Sequence, residues 1–486
     1  MNKTIHDLEP KSLWKNFSDL NAVPRPSKKE ERVIAFMMDF GKSLELETFT
    51  DEVGNVIIRK PATEGMKDRK SVVLQSHLDM VHQKNADTVF DFDTQGIEMY
   101  IDGDWVKANG TTLGADNGIG VATIMALLES TDIPHPDLEA LFTIDEETGM
   151  TGAMGLKGDV LKGEILLNLD TEEDDEIDIG CAGGIDVNAE REYNEKDIPS
   201  SLIGYKITVD GLKGGHSGIE IHKGLGNANK IMNRVLFCAS SEFAVRIAEI
   251  DGGGLRNAIP RESVAHIAVA KSQADEFENS FAKLAATIKN ELEIMEPGLA
   301  IRCEKGSLPN KIMGLGSQEK FIKAVYAAHN GVYAMSASIP DLVETSNNIA
   351  RVFVKDGKIK VGCLTRSSVD SAKIDLANTL KSAFELAGFE VVFGGNYPGW
   401  NPNPDSEILE VLKSKYQQLF SEKPKVVACH AGLECGILGQ NYRDMDMISF
   451  GPTIKGAHSP DERVRISSVQ KFWKFVLVIL EDIPKK

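Results

Sequence analysis

An α/β architecture with a second domain set into it follows from two features of this sequence. Short β-rich runs alternate with helical segments over residues 1–185. The texture then changes through residues 186–400, and the alternation resumes over 401–486. Strands separated by helices imply a sheet covered on both faces. At 486 residues the chain also exceeds the size at which one core keeps growing, so more than one domain is expected.

Each element has its own signal. Residues 30–44, EERVIAFMMDFGKSL, carry apolar side chains at helical spacing, and 120–130, GVATIMALLES, do the same. SVVLQSHLDMV at 71–81, LEALFTI at 138–144 and GEILLNLD at 163–170 are short apolar runs, expected as buried strands. Within the insertion, YKITVDGL and KIKVGCLT alternate as strands do, whereas GNANKIMNRVLFCA and DSAKIDLANTLKSAFELAG have helical period. The Gly, Pro and Asn of GGNYPGWNPNPDS (394–406) suit a crossing back. EILEVLKSKYQQLF, KVVACHAG, MDMISFGP and VQKFWKFVLVIL then restore the α/β pattern.

Composition narrows the function classes. With 42% hydrophobic and 26% charged residues the chain is ordinary globular protein. Its net charge of −19 argues against a nucleic-acid surface. No run of about 20 uninterrupted apolar residues offers a spanning helix, so no membrane partner is expected. MNKTIHDLEPKSLWKNF has no basic region followed by an apolar stretch, and the six cysteines form no CxxC pair. Together these point to reduced thiols and a cytoplasmic location.

The stretch FTIDEETGMTGA ends an apolar run in Asp145, Glu146 and Glu147. Three adjacent acids repel, and burying any of them without a partner is costly, so a positive charge should sit there. His77 and Asp79 in LQSHLDM stand at i and i+2, on one face of a strand. They suit a metal, or a surface pair. Asp116 and Asn117 in GTTLGADNGIG precede a helix, where capping is the simpler reading. Asp170 closes another apolar run, and the acids of 172–176 that follow are expected at the surface. His458 lies in the Gly/Pro-containing SFGPTIKGAHSPDERV, where a loop histidine is commonly exposed. As a set, two histidines and several carboxylates have the composition of a two-metal site, suited to Zn²⁺ with Mn²⁺ or Co²⁺ as substitutes.

SHLDMV, GTTLGADNG, DEETGMTGA, LNLD and GAHSPDERV, in that order, resemble the motifs of the co-catalytic zinc aminoacylase and carboxypeptidase superfamily. GLKGGHSG, LRNAIPRE and HAGLECG extend the likeness over nearly the whole chain, most closely to the aminoacyl-histidine, or Xaa-His, dipeptidase branch. The resemblance implies a mixed-sheet zinc-peptidase catalytic domain carrying a large inserted α+β lid domain. It implies two Zn²⁺ per chain, Asp116 bridging them, His77 and Asp170 completing one site and Glu147 and His458 the other. Asp79 would orient His77, Glu146 would be the general base, and His216 would donate to the oxyanion. Asn348 and Arg366 resemble residues that bind a substrate carboxylate, a task for which an arginine fork is suited, and Asn257 has a similar look. Glu434 departs from the GTD-type segment of many relatives and is expected to hold the substrate α-amine; a glutamate in the first turn of a helix starting near Gly432 is the plainer alternative.

The activity so implied is metal-dependent hydrolysis of dipeptides, Xaa-His dipeptides including β-alanyl-histidine among them. Deacylation of N-acyl amino acids with the same metals is the alternative. A binding protein derived from the same fold would have no need of Glu146, and two histidine ligands argue against a Mg²⁺ phosphoryl-transfer enzyme. No GxxxxGK[ST], strand-following GxGxxG or GxSxG motif is present. Small peptides are the expected partners. An insertion of this length could replace a partner subunit or form a homodimer, and the sequence leaves both open.

Overall fold

The structure, a computed structural model, describes residues 4–307 and 309–486. Two compact units divide the chain. One runs to Gly180 and resumes as Trp400–Ala428 and Leu433–Lys486; the other is Cys181–Gly399 with Cys429–Gly432.

The first unit is built on an eight-stranded mixed sheet in the order Glu47–Thr50, Val56–Lys60, Leu138–Thr143, Val72–His77, Ile165–Asn168, Asp446–Ser449, Glu176–Cys181, Lys425–Cys429. Its four central strands, Leu138–Thr143 through Asp446–Ser449, are mutually parallel. Every residue of Val72–His77, Leu138–Thr143 and Ile165–Asn168 is buried, as parallel strands covered on both faces require. That burial explains their continuous apolar runs. The helix Ala115–Glu129 is apolar on nearly all sides and buried from Asn117 to Leu128; it packs on the helix Lys11–Asn21 through Trp14, Phe17, Ile119 and Ala122. A four-stranded sheet, Ile454–Lys455, Arg463–Arg465, Trp105–Ala108 and Met99–Asp102, carries the loop of His458 between its first two strands.

The second unit is an antiparallel nine-stranded sheet with the helices Ala228–Phe243, Ala274–Leu292, Leu315–Ala327 and Asp370–Leu386. Its core joins Val187, Ile207, Leu236, Ile267, Phe277, Val352 and Leu380. The strands and helices anticipated from YKITVDGL, KIKVGCLT and their helical neighbours stand here as Leu202–Asp210, Lys358–Ser367, Ala228–Phe243 and Asp370–Leu386. Among the described residues no disulfide forms, and no helix is long and apolar enough to cross a membrane.

Candidate metal centre

In parallel α/β sheets functional side chains gather beyond the carboxyl ends of the strands. Three central strands obey that rule. Val72–His77 ends on His77; Leu138–Thr143 runs into Asp145, Glu146 and Glu147; Ile165–Asn168 runs into Asp170. Asp116 comes from the start of the long apolar helix, where it and Asn117 keep non-helical backbone angles. His458 comes from the distant loop with a positive φ of 63°.

These side chains converge. His77 Nε2 lies 3.2 Å from Asp116 Oδ1 and 3.6 Å from Asp170 Oδ1. His458 Nε2 lies 3.3 Å from Asp116 Oδ2 and 3.0 Å from Glu147 Oε2. Asp116 therefore turns one oxygen toward each imidazole. Two ligand atoms on one Zn²⁺, each at about 2.0–2.1 Å in a tetrahedral shell, stand about 3.3 Å apart, a spacing the four separations match. Two oxygens in the group, Glu147 Oε1 and Asp170 Oδ1, are buried with no hydrogen-bond donor. Orphaned buried carboxylate oxygens cost free energy unless a cation faces them. The residues present fit a metal pair.

The electrostatics carry the same message. Burial pushes the carboxyls of Glu146 and Asp170 well above the usual range, reinforced by neighbouring acids, and raises Glu147 in the same way. Hydrogen bonds to Asp116 and Glu147 push His458 up to about 11. Burial opposes the charge on His77, yet Asp170, Asp116 and Asp79 outweigh it and hold the imidazolium well above its ordinary value. Cationic imidazoles here stand in for the positive charge that the sequence called for. Asp116 falls below the carboxylate range because the two histidines overcome its burial.

The three adjacent acids have separate surroundings. Asp145 adopts a positive φ of 54°, and its carboxylate accepts from the Thr148 and Thr151 hydroxyls. Glu147 faces His458, while Glu146 groups with His77 and Glu147. Asp79 is fully buried, lies 3.4 Å from His77 Nδ1, and accepts the Glu146 and Glu147 N–H groups. One carboxylate thus touches both the histidine and the turn carrying the glutamates.

Two further residues have no local sequence signal. Glu462 is buried and accepts from the backbone N–H groups of Leu113, Gly114, Ala115 and Asp116, capping the helix that begins at the centre. Arg25, also buried, donates to the carbonyls of Leu78, Asp79 and Gly114. Burial lowers its pKa to about 10, which leaves it cationic at neutral pH beneath a cluster of acids. Gly114 has φ 69°, and a Cβ there would fall 2.5 Å from Arg25 Nη2, so both backbone angle and space favour glycine.

The acids expected at the surface behave differently. Glu172 is half-buried, and burial followed by the charge of Asp116 pushes its carboxyl up to about 8; Glu173 and Asp174 pair with Lys455 and Lys471. No apolar run immediately precedes them, which is why burial was not legible there.

Glu434 is fully buried and is the first residue of the helix Glu434–Asn441. Its Oε2 accepts from Gln75 Nε2 and Thr143 Oγ1, each at 2.6 Å, while Oε1 is buried without a donor. It belongs to the first unit with the metal-centre residues.

The remaining candidates belong to the second unit. His216, in the short strand Gly215–His216, accepts the N–H groups of Gly218 and Ile219 at Nδ1, which puts the neutral ring's proton on Nε2. Arg366 is buried, donates to the Tyr397 hydroxyl, and has an Nε without an acceptor. Asn348 is committed to its own unit: its amide donates to the Ala258 carbonyl and its oxygen accepts from Asn227. Asn257 is exposed, and its carbonyl accepts the Ser217 N–H. Sequence reasoning missed His430, buried with Nε2 2.8 Å from Ser346 Oγ. A Cβ on Gly218 would lie 2.0 Å from the His430 carbonyl oxygen, so only glycine fits that approach.

Residues 73–482 match the profile of peptidase family M20/M25/M40, and the chain belongs to that family. It is an enzyme, a hydrolase of peptide bonds. It is 44% identical over 482 residues to the cytosol non-specific dipeptidase of Escherichia coli, covering 99% of each chain. It is also similar to a crystal structure of aminoacylhistidine dipeptidase from Vibrio alginolyticus, at 44% identity and a TM-score of 0.93, covering 100% of this chain and 99% of that one. An aminopeptidase PepT from Bacillus cereus shares the fold at 17% identity and a TM-score of 0.58, covering 98% of this chain and 99% of that one.

Proposed function

We propose that the chain is a two-metal dipeptidase of the cytoplasm that cleaves Xaa-His dipeptides, β-alanyl-histidine included. The observation that carries this reading is the carboxylate of Asp116, with one oxygen toward His77 and the other toward His458. His77 and Asp170 would hold one Zn²⁺ and Glu147 and His458 the other, with Mn²⁺ or Co²⁺ as substitutes. When bound, such a pair lowers the pKa of water and polarises the scissile carbonyl.

This chain's residues supply the rest. Glu146 takes a proton from the attacking water and returns it to the departing amine. Its buried, acid-rich surroundings raise its proton affinity and suit it to both transfers. The Asp79 carbonyl, 3.1 Å from His77 Nδ1, and its carboxylate, 3.4 Å away, hold the ring's direction. His216 donates from Nε2 to the oxyanion, consistent with the two N–H groups that occupy its Nδ1. Arg366 grips the substrate carboxylate with its guanidinium. Asn348, whose amide donates to Ala258 and whose oxygen accepts from Asn227, holds the 256–258 turn and joins Arg366 at the substrate carboxylate. Asn257, at that turn, is the freer polar contact.

The dipeptide class is supported by both relatives at 44% identity; their names differ over histidine, one being called non-specific and the other aminoacylhistidine. The test is release of histidine from β-alanyl-histidine and a panel of Xaa-His, Xaa-Xaa and N-acyl amino acids, with chelated and Zn²⁺-restored protein. Zinc-dependent cleavage of dipeptides with N-acyl amino acids untouched is expected. Cleavage of the N-acyl compounds alone would replace this reading with the deacylase.

A further inference from the structure

Six buried side chains form one hydrogen-bonded line across the first unit's sheet: Asp178, Thr171, Ser449, Asn168, Gln75 and Glu434. Thr171 Oγ1 lies 2.8 Å from Asp178 Oδ2 and 2.8 Å from Ser449 Oγ. Ser449 Oγ donates to Asn168 Oδ1, Asn168 Nδ2 donates to Gln75 Oε1 at 2.5 Å, and Gln75 Nε2 donates to Glu434 Oε2 at 2.6 Å. The line crosses the strands Glu176–Cys181, Asp446–Ser449, Ile165–Asn168 and Val72–His77.

Counting protons fixes its chemical state. Five contacts join the six groups, and each needs one hydrogen. Each hydroxyl has one to give, and each amide, with nitrogen toward one neighbour and oxygen toward the other, gives one along the line. The four central residues therefore supply four hydrogens, and the fifth must come from a terminal carboxyl. Two ionised ends would leave one pair of buried oxygens in contact with no proton between them, and two protonated ends would place two hydrogens in one contact.

The amide orientations choose the end. Gln75 Nε2 has two acceptors on the Glu434 side, Glu434 Oε2 and Thr143 Oγ1 at 3.1 Å, and reversing the amide would forfeit one of them. Glu434 Oε2 also accepts from Thr143 Oγ1 at 2.6 Å. Two donors suit an ionised Glu434. With that polarity every hydrogen along the line points away from Asp178, whose carboxyl must then donate to Thr171.

We propose that Asp178 is a neutral carboxylic acid holding the one proton of this line, and that the line is a positioning frame for His77 and Asp170. Gln75 is two residues before His77 on the same strand, Asn168 two before Asp170, and Thr171 directly after it. Burial pushes the Asp178 carboxyl up to about 7, with the charge of Glu176 reinforcing it. Burial likewise pushes Glu434 up to about 7, opposed by His77 and its two donors. Asp178, Thr171, Ser449 and Asn168 act through other residues and touch no substrate.

The consequence for metal binding rests on the two-metal reading; the protonation state does not, and the two are measured separately. On the zinc-loaded enzyme at neutral pH, the infrared difference between wild type and Asp178→Asn should show a carboxylic-acid C=O band that the variant lacks, because the Asn amide supplies the same hydrogen to Thr171. Asp178→Asn should keep wild-type zinc affinity in chelator competition. Asp178→Ala and Thr171→Val, which break the line, should weaken zinc binding about 10- to 100-fold, as loss of partners behind metal ligands does. Should Asp178→Ala fail to fold, Thr171→Val carries that arm. A spectrum with no lost acid band shows an ionised Asp178 and overturns the proposal, as does Asp178→Asn binding zinc as poorly as Thr171→Val. Wild-type affinity in Thr171→Val overturns the positioning role. If the wild type itself binds no zinc, the two-metal reading fails while the infrared result still decides the proton.

Discussion

Glu146 and Asp116 are both acids at the same centre, yet their surroundings assign them different work. Asp116 faces both histidines, whereas Glu146 is buried among acids with its proton affinity raised. Glu146→Ala should therefore retain metal and lose activity by about 100- to 10,000-fold, as removal of a general base does, while Asp116→Ala should lose metal together with activity. Metal content and turnover of the two purified variants check this, and equal zinc loss in both would contradict the division. His430 offers a test away from the centre. Burial, then Arg366 and His216, lowers its pKa from 6.5 to about 3, so the folded state prefers the neutral ring. Its contribution to stability is complete above pH 6.5 and is lost as pH falls from there toward 3, by up to about 1.4 kcal/mol per pH unit. His430→Gln, which can still reach Ser346, should flatten the decline in denaturant midpoint between pH 7 and 5. An unchanged slope would show that other groups set it.

Strands and helices of the first unit were legible in the sequence because burial on both faces writes a continuous apolar run, and runs such as VVLQSH and LEALFT occur where the structure has strands. The residues ending those strands were legible too, since an acid or histidine closing an apolar run is conspicuous. Arg25 and Glu462 were not, because what makes them matter is contact far along the chain; Arg25 meets the Gly114 carbonyl over a separation of 89 and Glu462 the Leu113 N–H over 349. Glu462 is also the cap of the element carrying Asp116, where ordinary capping was expected from a short side chain within the local sequence. Its removal leaves four N–H groups without their acceptor. Glu462→Ala should cost on the order of 3 kcal/mol and reduce metal affinity, with Glu462→Gln retaining part of both. Urea denaturation with metal titration measures the two effects, and an Ala variant as stable as wild type would show the helix start needs no such cap.

On the scale of the whole molecule, the two units differ in what holds them. The second has a large apolar core of its own sheet and helices, with smaller apolar clusters around Ile259 and Ile312. The first gathers acids around the buried His77 and the exposed His458 at its strand ends, with the buried Arg25 donating to the Leu78, Asp79 and Gly114 carbonyls beside them. Metal binding favours the folded over the unfolded chain by RT ln(1 + [M]/Kd), about 2.7 kcal/mol at a hundredfold excess over Kd. That free energy enters where the ligands are attached. Chelation should therefore speed amide hydrogen exchange at residues 74–79, 113–118, 143–147 and 168–171, whose backbone carries or adjoins the converging side chains, and leave 246–270 and 349–364 in the core strands of the second unit unchanged. Opening free energies vary among cooperative segments, so exchange can resolve the difference. Uniform acceleration through both units would mean that metal stabilises the chain globally, and no change at the four segments would remove the metal from the account of how this centre is held together.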